Sequence, residues 1–344
     1  MNQSFLEEML TTASVSGNEI TLQKKVIRQM TPIADQIQTD ENGNVISILN
    51  PSSKCKVLLA GHIDEIGLQV AAINSDGFLE VKNIGGIYKS TYLGHKVRVY
   101  TKDGMIYGAI VNTRALSNKK DLENRDLLVD IGASSKEEAS HSVSVGDYIT
   151  FDTDYRTLKN NLLTGRALDD RTGAFIVIEA LRRAKEKGCE VGVYSATTVG
   201  EESGMRGAYW AASRVEPTMA IAVDVTYATD YPGADREGDV RLGNGPVLCI
   251  APYINRKMNA LLKDAADKLQ MNLQMETESS LTGTDADKIH YSGKGVPVCL
   301  VSIPLRYMHN PNETGSLQDI EDCIELLSEF VCALEEDVDL NPFH

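Results

Sequence analysis

Three textures of apolar and polar positions follow one another along this chain. Residues 3–12 alternate apolar and acidic positions at helical spacing, and Ser16 with Glu19 three residues later predicts a capping box for a second helix reaching about Met30. Gln36 to Asp40 and Asn44 to Leu49 read as two strands joined through Asn42-Gly43, a hairpin signal. Lys56 to Ala60 is a short, continuous apolar strand that runs into Gly61-His62-Ile63-Asp64-Glu65-Ile66-Gly67. From about Leu68 to Asp154 the pattern changes to short alternating runs separated by turn pairs such as Asp76-Gly77 and Asp103-Gly104. Only Ser135 to Ala139 suggests a helix there.

After Gly165 a helix–strand rhythm returns. Thr172 to Lys187 has helical periodicity and stops at Gly188, a favourable C-cap. Then follow an apolar strand from Val191 to Val199, a helix around Gly207 to Ser213 and a strand from Met219 to Val223. Arg256 to Gln270 reads as an amphipathic helix, Asn272 to Glu276 as a strand and Asp285 to Ser292 as a further helix. Val296 to Ile303 is a fully apolar strand, and Ser316 caps a closing helix to about Glu335. The expected fold is therefore α/β with a mixed sheet, formed by residues 1–67 and 155–344. A small all-β, barrel-like domain at 68–154 is expected as an insert.

Composition narrows the partners. A hydrophobic share of 42% and a charged share of 24% suit a globular domain. The net charge of -15 argues against nucleic acid, which calls for a basic face. The six cysteines show no CxxC spacing, so neither a disulfide framework nor a thiolate metal site is expected. No apolar run approaches a membrane span, and MNQSFLEEML lacks the basic start and apolar core of a signal peptide. A cytoplasmic protein with no membrane partner is the expectation.

The chemistry gathers where strands end. His62 and Asp64, the adjacent Glu201 and Glu202, Asp224, and His309 each follow a predicted strand, and Asp169-Asp170 precedes the helix near Thr172. Ligands of open α/β sheets collect at the carboxyl ends of strands. Each residue alone has an ordinary explanation: a structural histidine, a turn aspartate, a solvated glutamate pair, or acidic charges at a helix N-terminus. Their shared placement makes independent ordinary explanations improbable. Two imidazoles and three carboxylates, with no thiolate, suit a pair of divalent ions of the zinc, cobalt or manganese kind. Of the two adjacent glutamates, one would coordinate while its neighbour stays free as a general base. His95, His141, His290 and His344 lack such context and are taken as structural or surface residues.

The ordered set of segments resembles the dinuclear metallo-aminopeptidase family that includes glutamyl aminopeptidases and the tetrahedral TET peptidases. The matching pieces are His62 to Gly67, Ala167 to Arg171, Val199 to Gly207, Val223 to Thr226, Gly283 to Ala286 and Arg306 to His309. Order and spacing agree along nearly the whole chain. The resemblance implies a zinc-peptidase-like catalytic domain and two divalent metal ions per subunit, zinc or cobalt. His62 and Asp224 would hold one ion, Glu202 and His309 the other, with Asp169 bridging. Glu201 would act as general base toward the attacking hydroxide, and Asp64 would hydrogen-bond the His62 imidazole and fix its tautomer. Asp170 and Arg171 would support the bridge, and the peptide after the bridging aspartate is often cis in such enzymes. Short peptides with a free N-terminus would be the substrates. A homo-oligomer, possibly a dodecamer, would be built through dimerisation of the β insert. Gly200, Ser203 and Thr226 to Asp230 depart from the family pattern without removing a ligand.

Two other readings compete. A glycoside hydrolase using a carboxylate pair would leave two histidines without a role, and adjacent glutamates poorly flank a glycosidic bond. A non-catalytic metal-binding assembly protein would not need a free base beside a ligand.

Overall fold

A computed structural model describes residues 1–234, 236 and 238–344. Its strands begin with β1 (Gln36–Thr39), β2 (Val45–Leu49) and β3 (Lys56–His62). Next come β4 (Gly67–Ile73), β5 (Leu79–Ile84), β6 (Lys96–Thr101), β7 (Gly104–Ile110), β8 (Leu128–Asp130) and β9 (Tyr148–Phe151). The rest are β10 (Arg156–Thr157), β11 (Leu162–Gly165), β12 (Gly192–Thr198), β13 (Met219–Tyr227), β14 (Val247–Ile250), β15 (Gln274–Thr277), β16 (Val298–Leu305) and β17 (Glu313–Ser316). Among the described residues an eight-stranded mixed sheet runs β1-β2-β12-β3-β13-β16-β14-β15. Strands β4 to β9 close into a barrel in the order β4-β5-β8-β7-β6-β9, and β10-β11-β17 form a small third sheet. The expected α/β fold with a barrel-like all-β portion is what the chain adopts.

The central strands explain the continuous apolar runs. Neighbours β12, β3, β13 and β16 are parallel, and parallel strands are buried on both faces. Accordingly Val57, Leu58, Leu59 and Ala60 of β3 are all fully buried. The helix Leu168–Lys187 packs across them through Phe175, Ile176, Val177 and Leu181, and ends at Gly188 with φ +76°. The barrel has its own core, with Leu68, Val70, Val97, Val99 and Ile149 at its centre. The inward positions of the alternating runs are apolar, as in half-buried antiparallel strands, although Met105 and Tyr107 of β7 face outward and are exposed.

Three local expectations differ from what forms. No capping box opens the second helix, Ile20–Met30: its N-cap is Glu19, whose carboxylate accepts the Gly17 amide at 2.8 Å. Ser16 is drawn away by a 2.7 Å bond to the Ser203 hydroxyl. The first hairpin turns over Asp40–Asn44 and not over two residues. Asp40 Oδ1 accepts the amides of Asn42, Gly43 and Asn44, each at 3.0 Å, and Gly43 supplies the φ of +103° that the loop needs. Asp224 lies within β13 and not beyond its end, because that strand continues to Tyr227 through pairing with β16.

Candidate active site

Backbone register brings the scattered residues to one level. His62 ends β3 opposite Thr198 of β12, so the turn carrying Glu201 and Glu202 starts beside it. Strand β13 pairs Ala222 with Ala60, which puts Asp224 level with His62. The first turn of the Leu168–Lys187 helix presses on the same strand end. A Cβ at Gly61 would come within 2.5 Å of the Gly173 carbonyl carbon, so that contact requires glycine. Asp170 locks it, accepting the His62 amide at 3.2 Å and the Gly173 amide at 3.0 Å. Asp169 and Asp170 have non-helical dihedrals, and the peptide between them is cis.

Three overlapping groups of donors result: His62, Glu201 and Glu202; His62, Asp169 and Asp224; and Asp169, Glu202 and His309. Asp169 stands between the imidazoles, its Oδ1 3.2 Å from His62 Nε2 and its Oδ2 3.2 Å from His309 Nε2. His62 Nε2 is also 3.8 Å from Glu201 Oε2 and 3.9 Å from Asp224 Oδ1, while His309 Nε2 is 3.6 Å from Glu202 Oε1. His62, Asp64, Asp169, Glu201, Glu202, Asp224 and His309 all fall in or against this cluster. Asp64 touches it differently from expectation: its carboxylate accepts the amides of Glu201 at 3.1 Å and Glu202 at 3.2 Å. The His62 Nδ1 is nearer to the Asp64 backbone carbonyl, at 3.1 Å, than to its carboxylate, at 3.6 Å. His290 packs near Tyr253 and His95 against Phe151, away from the cluster.

Electrostatically the site carries an excess of buried negative charge. Among the described residues none of Asp169, Glu201, Glu202 or Asp224 has a Lys or Arg ion-pair partner. Burial, followed by repulsion from Asp169, pushes the Glu202 carboxyl up to about 8. Burial also holds Glu201 well above the usual range, with Asp224 and Asp285 adding to the shift and His62 opposing it. The two imidazoles overcome burial at Asp169 and hold its carboxyl well below the usual range. Four buried carboxylates facing two imidazoles match the donor chemistry of divalent cations, which would relieve this repulsion.

Several supporting residues carry no sequence signal of their own. Glu313 is fully buried, and its carboxylate accepts the amides of Asp169 at 3.2 Å and His309 at 2.8 Å, fixing both with one side chain. The barrel supplies Gly85 and Gly86 from the loop after β5. The Gly86 carbonyl lies 2.7 Å from His309 Nδ1, and a Cβ on Gly85 would sit 2.9 Å from Glu202 Oε2. Glu65 pairs with the buried guanidinium groups of Arg166 and Arg171 beneath the cluster. The unusual Gly200 and Ser203 also find a reason. Gly200 has φ +68° and lies under the Arg206 guanidinium, which donates to Ser203 Oγ at 2.6 Å.

Glu65→Gln is expected to destabilise the fold by about 3–5 kcal/mol, because two guanidinium groups lose their buried counter-charge. Burial raises the Glu65 carboxyl, but Arg166 and Arg171 outweigh it and the net shift is downward. A carboxylate whose folded pKa is depressed contributes stability above its unfolded pKa and loses it as pH falls through the folded value. The gap between wild type and variant in urea midpoint should therefore be full at neutral pH and close in acid. A gap that widens in acid would contradict this assignment.

Residues 43–326 match the family model described as M42 glutamyl aminopeptidase. The chain belongs to the M42 glutamyl aminopeptidase family. A lysyl aminopeptidase of Pyrococcus furiosus is 33% identical over 93% of this chain and 94% of its own length. The TET aminopeptidase of the marine sediment archaeon Thaumarchaeota archaeon SCGC AB-539-E09 superposes with a TM-score of 0.91 at 33% identity, covering 97% of each chain. The Pyrococcus horikoshii TET1 peptidase, which can assemble into a tetrahedron or a large octahedral shell, superposes at 0.86 with 30% identity. That match covers 96% of this chain and 99% of the other. M42 membership thus confirms the family that the sequence segments resemble.

Proposed function

We propose that this protein is a metal-dependent aminopeptidase that removes N-terminal residues from short peptides at a two-metal site. The observation carrying this reading is the buried donor set in which Asp169 offers one oxygen to each histidine's side of the cluster. In this assignment His62 and Asp224 would hold one ion, Glu202 and His309 would hold the other, and Asp169 would serve both. When bound, such a pair supplies Lewis-acid polarisation of the scissile carbonyl and a nucleophilic water at neutral pH.

The chain's own groups do the rest. Glu201 Oε2 takes the proton from the attacking water and returns it to the leaving amine, the work of a general base placed beside the cluster. Asp64 aims the pair of glutamates through their amides, and the Asp64 and Gly86 carbonyls fix which nitrogen of His62 and of His309 faces the cluster. A chelator should abolish release of amino-acid anilides, and added zinc or cobalt should restore it. Chelator-resistant cleavage of a β-glucan, with no anilide release, would instead favour the glycoside hydrolase reading.

We further propose that residues 68–154 act as an inserted dimerisation domain and that the chain assembles into a homo-oligomer, up to a dodecamer. The assemblies of the TET1 relative support this. A monomeric mass by light scattering would contradict it.

A further inference from the structure

The cavity over the histidine–carboxylate cluster continues past it to a second acidic group. It encloses about 240 Å³, and its far side is formed by Thr226, Glu276, Glu278, Leu300, Ser302 and Arg236. Glu276 projects from β15, the last strand of the large sheet. Its carboxylate accepts the Ser302 hydroxyl at 3.2 Å and, more closely, the Thr226 hydroxyl. Both donors come from strands that build the cluster. Ser302 of β16 stands in register with Asp224 of β13, and Thr226 lies two residues beyond Asp224 on the same face. Adjacent strands are about 4.8 Å apart. The Glu276 carboxylate is therefore one strand spacing and one hydrogen bond from the Asp224 backbone, within reach of the side chain of a first residue whose scissile carbonyl lies at the cluster, as the aminopeptidase reading requires.

The charges in this pocket are unequal. Glu278 is paired with Arg236, whose guanidinium also acts on Glu276 through space without forming an ion pair with it. Glu276 forms no ion pair among the described residues, and two hydroxyl donors leave part of its acceptor capacity free. A carboxylate placed like this is best satisfied by a cation that the ligand brings. An acidic side chain would meet it with like charge, and an aliphatic one would cover it without offering a hydrogen bond.

We propose that Glu276 forms the floor of the pocket for the first residue of the substrate, and that the enzyme prefers peptides beginning with Lys or Arg. The inference rests on the aminopeptidase reading, adding specificity to it. Glu276 recognises the side chain through a charge-assisted hydrogen bond, with Thr226 and Ser302 holding the carboxylate in place and Leu300 available to the aliphatic stem.

The test compares kcat/KM for the p-nitroanilides of Lys, Arg, Leu and Glu with the metal-loaded oligomer, in wild type and in Glu276→Gln. In wild type the lysyl and arginyl substrates should lead. The Lys/Leu ratio should fall by about 10- to 100-fold in the variant, the range expected for losing a hydrogen bond to a charged group. L-lysinamide should also inhibit wild-type cleavage of the leucyl substrate more strongly than L-norleucinamide, whose chain is similar but uncharged; this holds whether or not the variant folds. A wild type that prefers Leu or Glu, or a ratio unmoved in the variant, overturns the specificity and leaves the aminopeptidase intact. Cleavage of none of the four overturns the aminopeptidase reading, and the inference with it.

Discussion

Glu201→Gln is expected to lower kcat by about 10²- to 10⁴-fold, the usual worth of a positioned general base, while metal stays bound. One feature of the structure separates this residue from its neighbour. Glu201 Oε2 is 3.8 Å from His62 Nε2, and it approaches only that one imidazole, whereas Glu202 shares a donor group with both Asp169 and His309. Asp64 anchors the amides of both glutamates, so an isosteric amide side chain at either position leaves the backbone of the turn undisturbed. The variant should retain the metal content and circular dichroism of wild type and fail only in turnover. Glu202→Gln should show the complementary pattern, with weakened metal retention. The opposite outcome, metal lost from Glu201→Gln and kept by Glu202→Gln, would reverse the two assignments.

Asp169→Asn should have the broadest effect, because Asp169 belongs to two of the three donor groups and touches both histidines. Mutating groups that merely orient metal ligands typically costs 10- to 100-fold in affinity, so removing the shared carboxylate is expected to cost more than about 100-fold. The loss should reach both metals and not one. Asp170, Glu313 and Gly61 would still hold the backbone here, so the fold should survive. Titration of zinc into the metal-free variant, followed by calorimetry, checks this; one site left at wild-type affinity would argue against a shared ligand.

Much of the fold was legible because its signals are local. The switch from helical to alternating periodicity after Leu68 marks the barrel, and continuous apolar runs such as Lys56 to Ala60 mark strands buried on both faces. The site residues were legible because strand ends announce themselves, as at His62 and at the glutamate pair. Asp224 was found for a partly mistaken reason. Its strand continues past it, and pairing with β16 keeps it level with His62.

What could not be read depends on distant partners. Glu313 opens the short strand β17 just after a plain turn, and only the fold shows that it holds the Asp169 and His309 backbones at once. Gly85 and Gly86 come from the barrel, whose alternation says nothing about which loop will lean on His309. Ser16 and Glu19 have the spacing of a capping box, but Ser203 and the Gly17 amide compete for them more effectively. Glu276 ends a weak polar strand, and its importance appears only once Thr226 and Ser302 surround it.

The central claim is that the cluster is a dinuclear centre with Asp169 shared between two ions. Metal analysis of the purified oligomer, stripped with a chelator, reloaded with zinc and freed of excess, tests it most directly. The account predicts two zinc ions per 344-residue chain, with activity rising as they are filled. A stoichiometry of one or none in a fully active protein would contradict it.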